Sequence, residues 1–371
     1  MRCGVMGWIV AAFMAIATAE AGEPEPGLLV SRIALGSCAK QDRPMPVWSS
    51  VSRFKPDVLL MLGDNIYGDT EDMAVLRRKY DLLAADRGFG ALRNTVPIVA
   101  VWDDHDYGVN DGGAEYPMRH ESQEIFLDFF GIPPAAAVRK RDGIYRTLTV
   151  GPAGRRVQFI CLDTRFRRSP LHVIPHAEQV PGKGPYRPTD DPKATLLGGA
   201  QWDWLAAVLQ KPAEIRIILS SIQVASTEHG WEHWGNFPAE RAKLLGTIRE
   251  SQANGIIVVS GDRHAAEISR IPAADDALAY PLYDLTASSL NQPKRVDKDD
   301  EPNRHRVGER FHGANFGTIE IDWESATAGA TPAVTLAIRD IDGKIVRSEA
   351  VPLGELKPQP MKDASVREAS P

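Results

Sequence analysis

Residues 58–69 read VLLMLGDNIYGD, an apolar run of five that ends in a cluster of polar residues. The run has no polar alternation, the pattern of a strand buried on both faces. The same construction recurs along the chain. RIAL precedes Gly36-Ser37-Cys38, and VPIVAV precedes WDDHDYG at 102–108. IRIIL precedes SSIQ at 220–223, and GIIVV precedes SGDRH at 260–264. Sheets of such strands place their ligand sites beyond the carboxyl ends. Five clusters rich in Asp, Asn, His, Cys and Tyr are therefore expected to meet at one site.

Between these runs the spacing predicts helices over Ala74–Leu83, Ser122–Phe130, Gln201–Leu209 and Ala239–Glu250. Strand and helix in alternation imply an α/β fold. Residues 166–200 and 290–312 break the rhythm and read as long loops beside the strand ends. Beyond them Asn315–Trp323 and Ala333–Arg339 alternate as strands, and Asp342-Gly343 marks a hairpin turn before Ile345–Val351. These are expected as antiparallel edge strands closing the same domain. The expected organisation is a signal peptide over 1–21, one domain over 28–356 and a disordered tail over 357–371.

The leader reading rests on Arg2, the apolar stretch Val5–Ala17 and the small-residue sites Ala-Thr-Ala and Ala-Glu-Ala. It predicts a periplasmic or secreted protein with no stable membrane span. A formal net charge of −6 argues against nucleic acid as a structural partner. The chain is read as a monomer acting on a small molecule. Without the leader two cysteines remain. Cys161 lies inside an apolar run and Cys38 among candidate ligands, so no disulfide between them is expected.

Each cluster carries a chemical argument. Asp64, just past its strand, can bridge two cations, and a turn brings the Tyr67 phenol near one of them. In WDDHDYG three acids flank His105, and such crowding needs a compensating cation. Asp104 is the expected ligand there, with the Asn110 amide oxygen near it in sequence. Asp262 and His264, a hard oxygen and an imidazole two residues apart, suggest one ligand for each of two metals. Gln223 offers a neutral amide oxygen to a hard cation. Cys38 as a thiolate needs a metal or a strong positive field. Arg165, in LDTRF after the run VQFI, is a candidate fork for a phosphate.

In this order the clusters GSC, GDNIYGD, WDDHDYG, LDTR, SSIQ and SGDRH resemble the PhoD-like alkaline phosphatases, a branch of the calcineurin-like metallophosphoesterases. The resemblance runs from about Ile33 to Ile321. It implies a four-layer αββα sandwich with two mixed central sheets. It also implies Fe(3+) held by Cys38, Asp64, Tyr67 and His264, with Ca(2+) nearby. Asp64 would bridge. Asp104, Asp262, Asn110 and Gln223 would complete the second site, with His105 close to the phosphate. The all-oxygen second site equally suits Mg(2+) or Mn(2+), and Zn(2+) is a further candidate. The expected reaction is hydrolysis of phosphate esters by a hydroxide held at the metals, with His105 protonating the leaving group or holding a non-bridging oxygen. A phosphodiesterase or phospholipase D-like enzyme on the same metals is the alternative, and a non-catalytic metal- or phosphate-binding protein a more distant one. Longer members carry an N-terminal β-rich domain, whereas here about a dozen residues separate the expected signal peptide from the first expected strand.

Overall fold

The computed structural model describes residues 23–180, 183–294, 301–324 and 333–358. The expected signal peptide and nearly all of the expected tail lie outside the described residues. Fifteen strands are found among the described residues: β1 (Arg32–Gly36), β2 (Val58–Leu62), β3 (Ile98–Val101), β4 (Arg146–Val150), β5 (Val157–Cys161), β6 (His172–Val173), β7 (Tyr186–Arg187) and β8 (Ile215–Leu219), then β9 (Ile256–Ser260), β10 (Ala266–Ile271), β11 (Leu282–Ala287), β12 (Arg306–Phe311), β13 (Asn315–Ile321), β14 (Ala333–Asp340) and β15 (Ile345–Pro352).

They form two large mixed sheets. One has the order β15-β14-β13-β1-β2-β3, the other β12-β10-β11-β9-β8-β5-β4. Strands β1, β2 and β3 are parallel, as are β5, β8, β9 and β11. All six apolar runs picked out in the sequence are thus parallel strands, three in each sheet. Five of them, β2, β3, β5, β8 and β9, are buried at every residue, so both faces of each sheet are covered. The sheets pack against each other through β11 and β13 and through β3 and β5. Helices form one group at 47–54, 73–85, 87–93 and 119–129, and another pair at 199–209 and 238–251. This is the layered α/β sandwich that the resemblance implies.

Asp342 and Gly343 turn β14 into β15, with Gly343 at φ +88° and its N–H on the Asp340 carbonyl. The segment 290–312 is not wholly loop. Arg306–Phe311 pairs with β10 as an outer strand, a pairing that charged residues obscure in the sequence. Strands β10 and β11 also escape the apolar pattern, because Glu267, Ser269 and Asp284 interrupt them. Asp284 is buried but accepts from Val224 N, Ala225 N and Ser260 Oγ, so its carboxylate ties β11 to two neighbouring strand ends. One bridge, Ser37 to Ser288, joins the end of β1 in the first sheet to the end of β11 in the second. There the two sets of carboxyl ends meet.

Candidate metal centre

Local backbone shape sets the site. Cys38, Asp64, Asp262 and His264 all adopt left-handed φ, at 57°, 48°, 62° and 51°. Non-glycine residues avoid this region, and where they hold it the surrounding structure enforces it. Here tight turns stop each strand abruptly and aim the next side chains across the sheet ends. The glycines before two of these acids allow the turns to approach. A Cβ on Gly63 would lie 2.5 Å from Asp103 Cβ, and one on Gly261 would lie 2.6 Å from Ser37 Oγ.

Backbone bonds knit the turns together. Ala39 N donates to the Asp64 carbonyl at 2.8 Å, and Gly261 N to the Ser221 carbonyl at 2.9 Å. Asp106 is the staple between GDN and WDDHD: its carboxylate accepts from Asp64 N at 3.1 Å, Asn65 Nδ2 at 2.5 Å and Asp103 N at 2.6 Å. Burial pushes that carboxyl up to about 7.

Three overlapping ligand groups result, each with its donor atoms within 4.8 Å of one another: Cys38, Asp64 and His264; Asp64, Asp104 and His105; and Asp64, Asp103, Asp104 and Asp262. Asp64 belongs to all three. Cys38 Sγ lies 3.4 Å from Asp64 Oδ2 and 3.0 Å from Ser288 Oγ. Tyr67 Oη lies 3.2 Å from His264 Nε2. His264 Nδ1 donates to the Gln292 carbonyl at 2.6 Å, which leaves the Nε2 lone pair facing the thiol, phenol and carboxylate.

The electrostatics are those of a centre suited to cations. Burial pushes the Asp64 carboxyl up, with the Cys38 thiol adding to it. Burial likewise raises Asp103 and Asp262, and brings Cys38 up to about 11. Burial opposes ionisation of Asp104 too, yet His105, Arg165 and the Asp111 N–H hold its carboxyl below the usual range. Around His105 burial opposes the charge, but Asp64, Asp104 and Asp69 outweigh it and push the imidazole up to about 11. Asp64 Oδ1, Asp103 Oδ2 and Asp104 Oδ1 are buried with no hydrogen-bond partner among the described residues. Three orphaned carboxylate oxygens around one residue are costly to bury unless a positive charge meets them. A metal fits this donor set on the geometry alone.

The structure brings together Cys38, Asp64, Tyr67, Asp104, His105, Asp262 and His264. It places three other candidates differently. Asn110 is exposed and donates to Asp111 Oδ2 at 2.6 Å. Gln223 is buried, but its amide serves Glu267, Thr286 and His229. Arg165 has no exposed surface, and its guanidinium is spent on Asp103 and Glu232. Sequence reasoning misses Asp103, which the choice of Asp104 beside it masks. Ser288 is missed with β11, although LYDLTASS repeats the pattern of an apolar run ending in small polar residues. Cys38 and Cys161 are both buried free thiols.

Residues 33–330 match the family described as PhoD-like phosphatase. Alkaline phosphatase D of Bacillus subtilis (strain 168) is 23% identical over 329 residues, covering 74% of this chain and 54% of that protein. The chain thus spans about half the length of this curated relative. A solved structure of PhoD superposes with TM-score 0.64 at 18% identity, over 90% of this chain and 74% of that one. A dimetal phosphatase from Danio rerio superposes with TM-score 0.50 at 14% identity, over 88% of this chain and 100% of that one. At such identities the two superpositions speak to the fold alone.

Proposed function

This chain belongs to the PhoD-like phosphatase family, and we propose that it is an exported, monomeric, metal-dependent hydrolase of small phosphate esters. One observation carries the reading: Asp64 is common to all three ligand groups, as a carboxylate bridging two cations must be. Cys38, Tyr67, His264 and Asp64 would hold the first metal. Their thiolate, phenolate, imidazole and carboxylate suit Fe(3+). Asp64, Asp104 and Asp262, with Asp103 alongside, would hold a hard divalent ion, Ca(2+) before Mg(2+), Mn(2+) or Zn(2+). Bound there, the cations would supply Lewis acidity and lower the pKa of a water so that it could ionise to a nucleophile near neutral pH.

The chain's own groups do the rest. The Asp64, Asp104 and Asp69 carboxylates around His105 outweigh burial and favour its protonated form. Asp69 Oδ1, 2.7 Å from Nδ1, orients the ring so that its other nitrogen is free to act. The Tyr67 ring packs tilted against the imidazole, with centroids 4.3 Å apart, and restrains it. An imidazolium so placed can protonate the leaving oxygen or hold a non-bridging oxygen of the phosphoryl group. Arg165 takes no part in substrate contact in this account.

Export rests on the leader-like residues 1–21, and no helix among the described residues is long and apolar enough to cross a membrane. The test is hydrolysis of a nitrophenyl phosphate monoester and the matching diester by metal-loaded protein, assayed in parallel. Turnover of either supports the reading, and their ratio divides monoesterase from diesterase. Loaded protein inert toward both would overturn it.

A further inference from the structure

Behind the acidic centre lies a set of buried charges of which the proposed reaction draws on Asp103 alone. Asp103, Arg165, Arg168 and Glu232 are all fully buried or nearly so. Arg165 donates from Nε to Asp103 Oδ1 at 2.6 Å, and from Nη2 to the same oxygen. Its third nitrogen, Nη1, donates to Glu232 Oε2 at 2.7 Å. Arg168 Nε stands 3.1 Å from the other oxygen, Glu232 Oε1. Ser221 Oγ adds a donor to Asp103 Oδ1 at 2.6 Å. Two guanidinium groups and two carboxylates cancel in charge. Asp64, Asp104 and Asp262 are left as the carboxylates for cations to neutralise.

The two carboxylates that Arg165 holds belong to different parts of the molecule. Asp103 follows β3 in the first sheet and lines the centre. Glu232 lies in the loop after β8 of the second sheet, next to Trp231. The Trp231 ring sits beneath Lys294 Nζ at 4.3 Å, and Lys294 N bonds the carbonyl of His264. That loop is therefore a wall beside the metal ligands. A planar fork can hold two carboxylates at once in fixed geometry, which an ammonium cannot.

We propose that Arg165 is a positioning residue that couples the acidic centre to this wall, one guanidinium fixing Asp103 in the centre and Glu232 in the loop carrying Trp231. The proposal rests on the hydrolase reading of the site. The wall then sets how an ester sits against the cations, and loosening it weakens substrate binding more than the chemical step.

Two variants test this, Glu232→Gln, which keeps the shape of the side chain, and Arg165→Lys, which keeps the charge without the fork. Both are read by bound metal, by backbone hydrogen exchange over residues 226–236, and by KM and kcat on the nitrophenyl esters. For Glu232→Gln we expect unchanged metal content, exchange in the loop faster by about tenfold, KM higher by about tenfold and kcat within about twofold. Arg165→Lys should show the same loosening with weaker retention of the divalent metal. Should the lysine variant not fold, the glutamine variant decides alone. Wild-type exchange and KM in Glu232→Gln, or a loosened loop with KM unmoved, would overturn the coupling. Exchange reads the loop whether or not the chain hydrolyses esters, so a failed hydrolase reading shows separately, as inactive wild-type protein.

Discussion

The phenol oxygen of Tyr67 lies 3.2 Å from Nε2 of His264, across 197 positions of sequence and from one sheet to the other. Neither residue reaches this contact from regular strand geometry. His264 is held at φ 51°, and Tyr67 is carried round the turn that begins with Asp64 at φ 48°. The pair closes one side of a ligand set with Cys38 and Asp64, so its chemistry can be tested by light absorption. A trivalent iron bound by phenolate and thiolate should colour the protein through charge transfer. Replacing Tyr67 by Phe should remove or shift the visible band while the protein stays folded. A colourless protein holding two zinc ions would reject iron and leave the fold untouched.

Asp64 is the shared member of all three ligand groups. Asp64→Asn should lower kcat by about 10³-fold or more, in line with losing a group on which both cations depend. Elemental analysis of the same variant should show less metal per chain. Full turnover with unchanged metal would remove the bridge.

Metal stabilisation should depend on pH with a definite sign. Asp106 and Asp111 are raised to about 7 by burial, and Asp64, Asp103 and Asp262 are raised as well. A carboxyl whose folded pKa exceeds its unfolded value binds more protons in the folded state. Its contribution to stability therefore grows as pH falls from about 7 toward the unfolded value near 4. At Asp64, Asp103 and Asp262 protons and cations compete for the same oxygens. The rise in Tm on adding divalent metal should be large at pH 8 and shrink steadily by pH 5. A metal-induced shift that is flat or grows toward acid would contradict this.

Gly63 carries a steric prediction. Its φ is +96°, and a Cβ there would lie 2.5 Å from Asp103 Cβ and 2.8 Å from Asp103 N. Gly63→Ala should cost about 2 kcal/mol or more, from backbone strain and a clash that pushes Asp103 out of the centre. Gly154 is the control: its φ is +87°, and a Cβ there would meet nothing within 4 Å. Its alanine variant should cost about 1 kcal/mol from backbone strain alone. Equal losses in urea unfolding would refute the close approach at Gly63.

Much of this architecture is legible in the sequence because the parallel strands are buried on both faces. Such strands leave uninterrupted apolar runs, and VLLML, IRIIL and GIIVV each give the strand and its end. Strands interrupted by charged residues are harder to read. β10 and β11 carry Glu267 and Asp284 inside the sheet, and only their tertiary partners make those charges tolerable. Residue type similarly finds Cys38, Asp64, Tyr67 and His264, but not that both neighbours in the pair of acids at 103 and 104 turn inward. Asp103, two residues past the strand end, lines the centre beside Asp104, its backbone N–H held by the Asp106 carboxylate. Arg165 misleads for the same reason. An arginine after a strand end suits a phosphate, and nothing local reveals that Glu232, 67 positions away, holds it in the interior.

The central claim, that this carboxylate-rich centre works through bound cations, is most directly tested by elemental analysis joined to reversible metal removal. Protein as purified should carry two or more metal ions per chain and hydrolyse a nitrophenyl phosphate ester. Chelation should abolish that hydrolysis, and restoring the ions found at the outset should recover it. Undiminished hydrolysis by fully metal-free protein would contradict the account.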